Sequence, residues 1–76
     1  SVVTGLHASK NGGSGGVATM YVNGVASTLS TTLPTGDNAN GSTTGVSIAL
    51  PSFARVSVFM DPDAGSWSYG AAVIEY

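Results

Sequence analysis

The chain has no cysteine, which excludes disulfides and thiolate metal sites together. Charge is nearly missing too. Lys10 and Arg55 are the only basic residues, and Asp37, Asp61, Asp63 and Glu75 the only acids. Charged residues make up 8% of the chain, against about 25% in an ordinary soluble domain. Two basic side chains cannot neutralise a row of phosphates, so no nucleic-acid partner is expected. The single histidine, His7, cannot hold a metal without carboxylates around it, and neither metal nor cofactor is expected. No apolar run approaches a membrane span in length, and membrane insertion is not expected. The opening "SVVTGLHASK" lacks the layout of a signal peptide. Helical periodicity is absent throughout.

What remains is 76 residues rich in Gly, Ser, Thr, Val and Asn, read as one β domain spanning residues 1–76. A chain of this size buries only about 60% of the surface its unfolded form exposes. Small domains add disulfides, a metal or subunit contact to compensate. With the first two excluded, oligomerisation is the expected stabiliser. The low charge agrees: hydroxyl and amide side chains must keep the surface wet, or a partner chain must cover it.

Short alternating segments bounded by turn residues predict an all-β fold, a small antiparallel β-sandwich or jelly-roll-like barrel of five to seven strands. "SVVTGLHA" reads as the first strand, and "SKNGGSGG", residues 9 to 16, as a solvated flexible loop. In "YVNGVAS", Asn23-Gly24 lies between apolar runs, the pattern of a two-residue type I′ hairpin. That register pairs Val22 with Val25 and Met20 with Ser27. It puts Ala18, Met20 and Val22 on one face and Thr19, Tyr21 and Asn23 on the other. "PTGDNANGST", residues 34 to 43, reads as a polar loop with Asn40-Gly41 at its tip. Further on, Val46, Ile48 and Leu50 share a face, as do Val56, Val58 and Met60. "DPDAGS" reads as a turn. "WSYGAAVIEY" reads as a closing strand with Trp67, Tyr69, Ala71, Val73 and Glu75 in phase.

No catalytic constellation emerges. "DPDAGS" opens like a calcium loop, but position six from Asp61 is Ser66 and position twelve is Ala72, where Gly and an acid are required. Asp61 and Asp63 are explained by turn chemistry. Serines are too abundant for a pairing with His7 to carry information. "GGSGG", residues 12 to 16, matches a nucleophile elbow only as a string, without the strand-to-helix turn. The chain is therefore read as a non-enzyme. The aromatics carry the remaining functional signal. Trp67 and Tyr69 alternate onto one strand face, and Trp67 and Tyr21 each adjoin polar turn residues; these three are the candidate ligand-binding residues, since aromatic faces stack on the C–H faces of sugars. The same rings also suit ordinary core packing.

The segments "MYVNGVAST", "TTGVSIALPSFARVSVFMD" and "SWSYGAAVIEY" resemble the distal tip or head domains of bacteriophage tail fibres and related receptor-binding proteins. The resemblance spans residues 20 to 76. It implies a homotrimeric, virion-borne, extracellular β tip that binds a host-surface glycan or protein without enzymatic activity. No binding residue transfers by motif. Two other classes suit the same residues: a small secreted β-rich toxin or effector chain, and a purely structural virion decoration protein.

Overall fold

The computed structural model describes all 76 residues. It contains six strands and no helix: β1 (Val2–Asn11), β2 (Gly16–Val22), β3 (Val25–Leu33), β4 (Ala39–Ala49), β5 (Val56–Pro62) and β6 (Tyr69–Glu75). They form two three-stranded antiparallel sheets, ordered β4-β1-β6 and β3-β2-β5. The sheets stack into a small β-sandwich. Only β2 and β3 form a hairpin within one sheet; every other connection passes from one sheet to the other.

β1 and β2 are each central in their sheet, so their inward side chains build the core. Val3, Leu6, Ala8, Ala18 and Met20 are buried with Leu29 and Leu33 of β3. Each fully buried Leu or Met contributes about 1.5–3 kcal/mol. Val22, Val46, Ile48, Leu50, Val58 and Met60 pack against this cluster, as their alternation predicts. Val56 lies at the rim, 38% exposed.

Two register shifts interrupt the ladders, and the first lets the alternation change phase. Between Val3 and Gly5 the register against β4 shifts by two residues, with Gly45 at φ +74°. Val3 and Leu6, at odd and even positions, thereby both face the core. The second shift lies between Thr19 and Tyr21. It replaces the expected Met20–Ser27 ladder pair: Ser27 Oγ instead donates to the Met20 carbonyl at 2.7 Å and accepts from the Leu29 amide at 3.1 Å.

The hairpin tip follows expectation. Val22 pairs with Val25, and Asn23 and Gly24 have φ of +53° and +81°. Asn23 N donates to Arg55 O at 2.8 Å, and Arg55 N donates to Asn23 Oδ1 at 2.9 Å. A Cβ on Gly24 would meet nothing within 4 Å, so a substitution there tests backbone conformation alone. Gly24→Val should cost about 1–2 kcal/mol, the penalty of a positive φ on a branched residue. Urea unfolding would measure it, and an unchanged midpoint would remove the turn's role.

Three segments differ from expectation. Residues 9 to 16 are not a flexible loop: β1 runs to Asn11, β2 starts at Gly16, and Lys10, Gly15 and Gly16 are buried. Asn40-Gly41 is not a loop tip but lies inside β4, paired with Ser9 and Ala8. Glycine is required there because a Cβ would run into the Thr32 carbonyl of the facing sheet. Finally, the closing strand begins at Tyr69 rather than Trp67.

The two flanks of the sandwich are unequal. On one, β3 and β4 lie against each other, and Thr43 Oγ1 donates to the Ser30 carbonyl at 2.8 Å. On the other, β5 and β6 scarcely meet.

Candidate binding site

Pairing of Gly5 with Glu75 and of Asn11 with Tyr69 puts both chain termini at one end of the molecule. Three connections gather at the other: β1–β2, β3–β4 and β5–β6. They are bonded to one another rather than loose. Gly36 N donates to Gly13 O at 3.1 Å, Asp63 N to Gly15 O at 2.8 Å, and Ser68 N to Asn11 O at 2.9 Å. Ser14 Oγ donates to Ala64 O at 2.8 Å.

Lys10 is the centre of this arrangement. It is 1% exposed and makes no ion pair, since the chain's one ion pair joins His7 and Glu75. Its ammonium donates to the Gly12 carbonyl at 2.6 Å and to the Gly36 carbonyl, and stands 5.9 Å from the Trp67 ring centroid. One side chain thus reaches all three connections, and its buried charge is compensated by carbonyl dipoles and an aromatic face. The alternation that points Leu6 and Ala8 inward continues to Lys10, and this was the signal available in the sequence. The glycines that follow masked it.

The candidate aromatics divide. Trp67 is half-buried and packs against the core, while its Nε1 donates to Ser14 O at 2.9 Å. Tyr69 is 58% exposed. Although they are not in phase on one strand, both border a cleft of about 450 Å³ with Met60, Pro62, Gly65 and Gly70. Tyr21 stands apart, on the outer face of the second sheet. It meets Phe59 edge to face, with centroids 6.2 Å apart and planes at 72°. Phe59 is 53% exposed, and its pairing beside Thr19 brings it to Tyr21. That partner choice was not readable from sequence.

On the outer face of the first sheet, His7 connects both edge strands. Its Nδ1 is 2.9 Å from Ser42 Oγ and its Nε2 is 2.8 Å from Glu75 Oε1. Thr4 Oγ1 donates to Glu75 Oε2 at 3.3 Å. The order Ser42–His7–Glu75 is that of a nucleophilic triad, but Ser42 sits mid-strand with its backbone in the ladder to β1. Neither a turn nor a helix N-terminus directs N–H groups at a reacting oxygen beside it. His7 and Glu75 side chains are 39% and 49% exposed, so the line reads as a cross-strand tie between β4, β1 and β6.

The His7 hydrogen bond holds the Glu75 carboxyl below its ordinary value near 4.5, with Thr4 and the His7 charge adding to it and desolvation opposing. A carboxylate with a depressed folded pKa contributes stability above its unfolded pKa. That contribution is lost as pH falls through the folded value. The domain should therefore lose stability as pH drops below about 4.5, and Glu75→Gln should flatten that loss. Parallel pH profiles of melting temperature for wild type and Glu75→Gln would show the tie to be inert.

No protein-family model, curated protein or solved structure matches the chain.

Proposed function

We propose that this chain is the non-enzymatic recognition tip of an oligomeric, trimeric fibre on an extracellular virion surface, binding a host-surface glycan or protein. The observation supporting this reading is the loop end: three connections cross-bonded through Lys10 and Trp67, facing away from both termini, with a cleft bordered by Trp67 and Tyr69. A recognition surface gains affinity from being ordered before its ligand arrives. Tyr69 supplies an exposed aromatic face with few rotatable bonds, and Pro62, Gly65 and Ser66 give the cleft a turn-built wall. A sugar ring can lay its C–H face on Tyr69 while its hydroxyls stay solvated.

The test is a glycan array followed by titration of any hit. Tyr69→Ala should weaken binding by about 1 kcal/mol or more, roughly fivefold, with little change in melting temperature because the ring is exposed. Tyr21→Ala, on the other sheet, should leave affinity intact. Absence of binding to any surface glycan or host-surface protein would overturn the reading. Affinity for a capsid lattice would favour a decoration protein instead, and toxicity to a target cell a toxin chain.

A further inference from the structure

The cleft beside Tyr69 adjoins the outer face of the first sheet. Leu6, Ala8 and Lys10 of β1 point inward, so His7, Ser9 and Asn11 point out. The register sets them in rows with the neighbouring strands. Asn11 stands beside Tyr69, Ser9 between Asn40 and Ala71, and His7 between Ser42 and Val73. Ser9 and Ala71 are short and half-buried. Their row is therefore low, and His7, Val73, Ser42 and Asn40 border a trough of about 250 Å³ over it. The polar groups beside the trough are already engaged: Ser42 Oγ meets His7, and Asn11 Oδ1 accepts from Asn38 N at 3.3 Å. The Ser9 hydroxyl and the Asn40 amide, at its floor and wall, have no partner within the chain. Tyr69 and Val73, 58 and 63% exposed, flank this open pair on β6. The strand rise separates them by about 13 Å.

We propose that the ligand is an uncharged oligosaccharide that runs from the Tyr69 cleft along this trough, with Ser9 and Asn40 as specificity-determining contacts. The inference rests on the recognition reading above and names its ligand class. Charge decides against an acidic sugar. Lys10 is buried, and Arg55 lies in the β4–β5 connection, bonded to the hairpin tip, so no cation serves this face. Glu75 stands on it, beside His7, and would repel a carboxylate. Side-chain chemistry decides against a peptide. The trough has no deep apolar pocket of the kind that seats a protein hot spot. It offers an open hydroxyl and an open amide between two exposed apolar side chains. A sugar chain carries the complement: C–H faces for Tyr69 and Val73 at its ends, and hydroxyls for Ser9 and Asn40 between them. The Asn40 amide both donates and accepts, as a sugar hydroxyl does. A single ring cannot reach from Tyr69 to Val73, so the ligand is a chain.

The probe is an array of neutral oligosaccharides printed beside their sialylated counterparts, followed by titration of the hit. Neutral chains should bind, and their sialylated counterparts about tenfold more weakly or worse. Asn40→Ala and Ser9→Ala should each weaken the hit about fivefold, the loss of one neutral hydrogen bond. Their melting temperatures should stay near wild type, because neither side chain holds a partner in the fold. Thr28→Ala, on exposed β3, should change neither quantity. Backbone amide shifts on the wild type supply a reading that needs no variant: residues 7–9, 40–42 and 71–73 should move as the hit is added, together with Tyr69. A hit that responds to Tyr69→Ala but not to Asn40→Ala or Ser9→Ala, with shifts confined to residues 62–70, would overturn the trough and leave the recognition reading standing. Binding of sialylated chains alone would do the same. A hit that responds to Ser9→Ala and Asn40→Ala but not to Tyr69→Ala would support the trough and overturn the Tyr69 cleft. If no glycan binds, the trough proposal falls, and the recognition reading survives only through a host-surface protein.

Discussion

Lys10→Ala should destabilise the domain by about 3–5 kcal/mol, near the top of the range for a single substitution. Removing the side chain empties a fully buried site, which costs about 2–5 kcal/mol for a large-to-alanine change. It also strips the Gly12 and Gly36 carbonyls of their donor, at about 1–3 kcal/mol for each one that water cannot reach. A small domain has a total stability toward the lower end of about 5–15 kcal/mol, so the variant should be largely unfolded at physiological temperature. Lys10→Met separates the two effects. It keeps the apolar stem and loses only the ammonium, so it should cost about 1–3 kcal/mol. Urea unfolding of both variants measures the difference. If Lys10→Ala melts like the wild type, the ammonium does not hold the three connections together.

Trp67→Ala is expected to cost about 3 kcal/mol, the low end for a buried tryptophan because this ring is only partly covered. The ring lies directly on the glycines of the β1–β2 connection. A Cβ on Gly12 would stand 2.9 Å from its Cδ1, and one on Gly16 2.6 Å from its Cζ2. Trp67 therefore spans the β5–β6 connection and the start of β2, and its Nε1 bond to Ser14 holds the ring in place. Because Lys10 sits over the same ring, the two substitutions should not add. A double-mutant cycle of Lys10→Met and Trp67→Ala should return a coupling of about 0.5–3 kcal/mol, as for other contacting residues. Strict additivity would mean that the ammonium and the ring act independently. Trp67→Phe keeps part of the packing and drops the Ser14 bond. A loss of ligand affinity in that variant at near-wild-type stability would assign Trp67 a contact with ligand as well as a structural role.

By itself the sequence determined whatever depends on neighbours along the chain. Asn23-Gly24 had to turn, because few other residue pairs accept positive φ twice in succession. The alternation of Ala18, Met20 and Val22 and of Val46, Ile48 and Leu50 had to place those side chains on one face, because the period of a strand is two. All-β architecture followed from the same local rules. Only the tertiary structure decided which strands pair. β1 lies between β4 and β6, and β2 takes β5 as its second neighbour, choices made by contacts across dozens of residues that no local pattern encodes. Those choices drew Asn40-Gly41 into a strand, since Gly41 faces the Thr32 carbonyl where no side chain fits. They brought Ser42 and Glu75 to His7, and Phe59 to Tyr21. They also made a buried lysine tolerable. Lys10 looks like a loop residue until Gly36 and Trp67 arrive from the other two connections, because a charge can stay inside only where distant backbone carbonyls and an aromatic face replace the water it has lost.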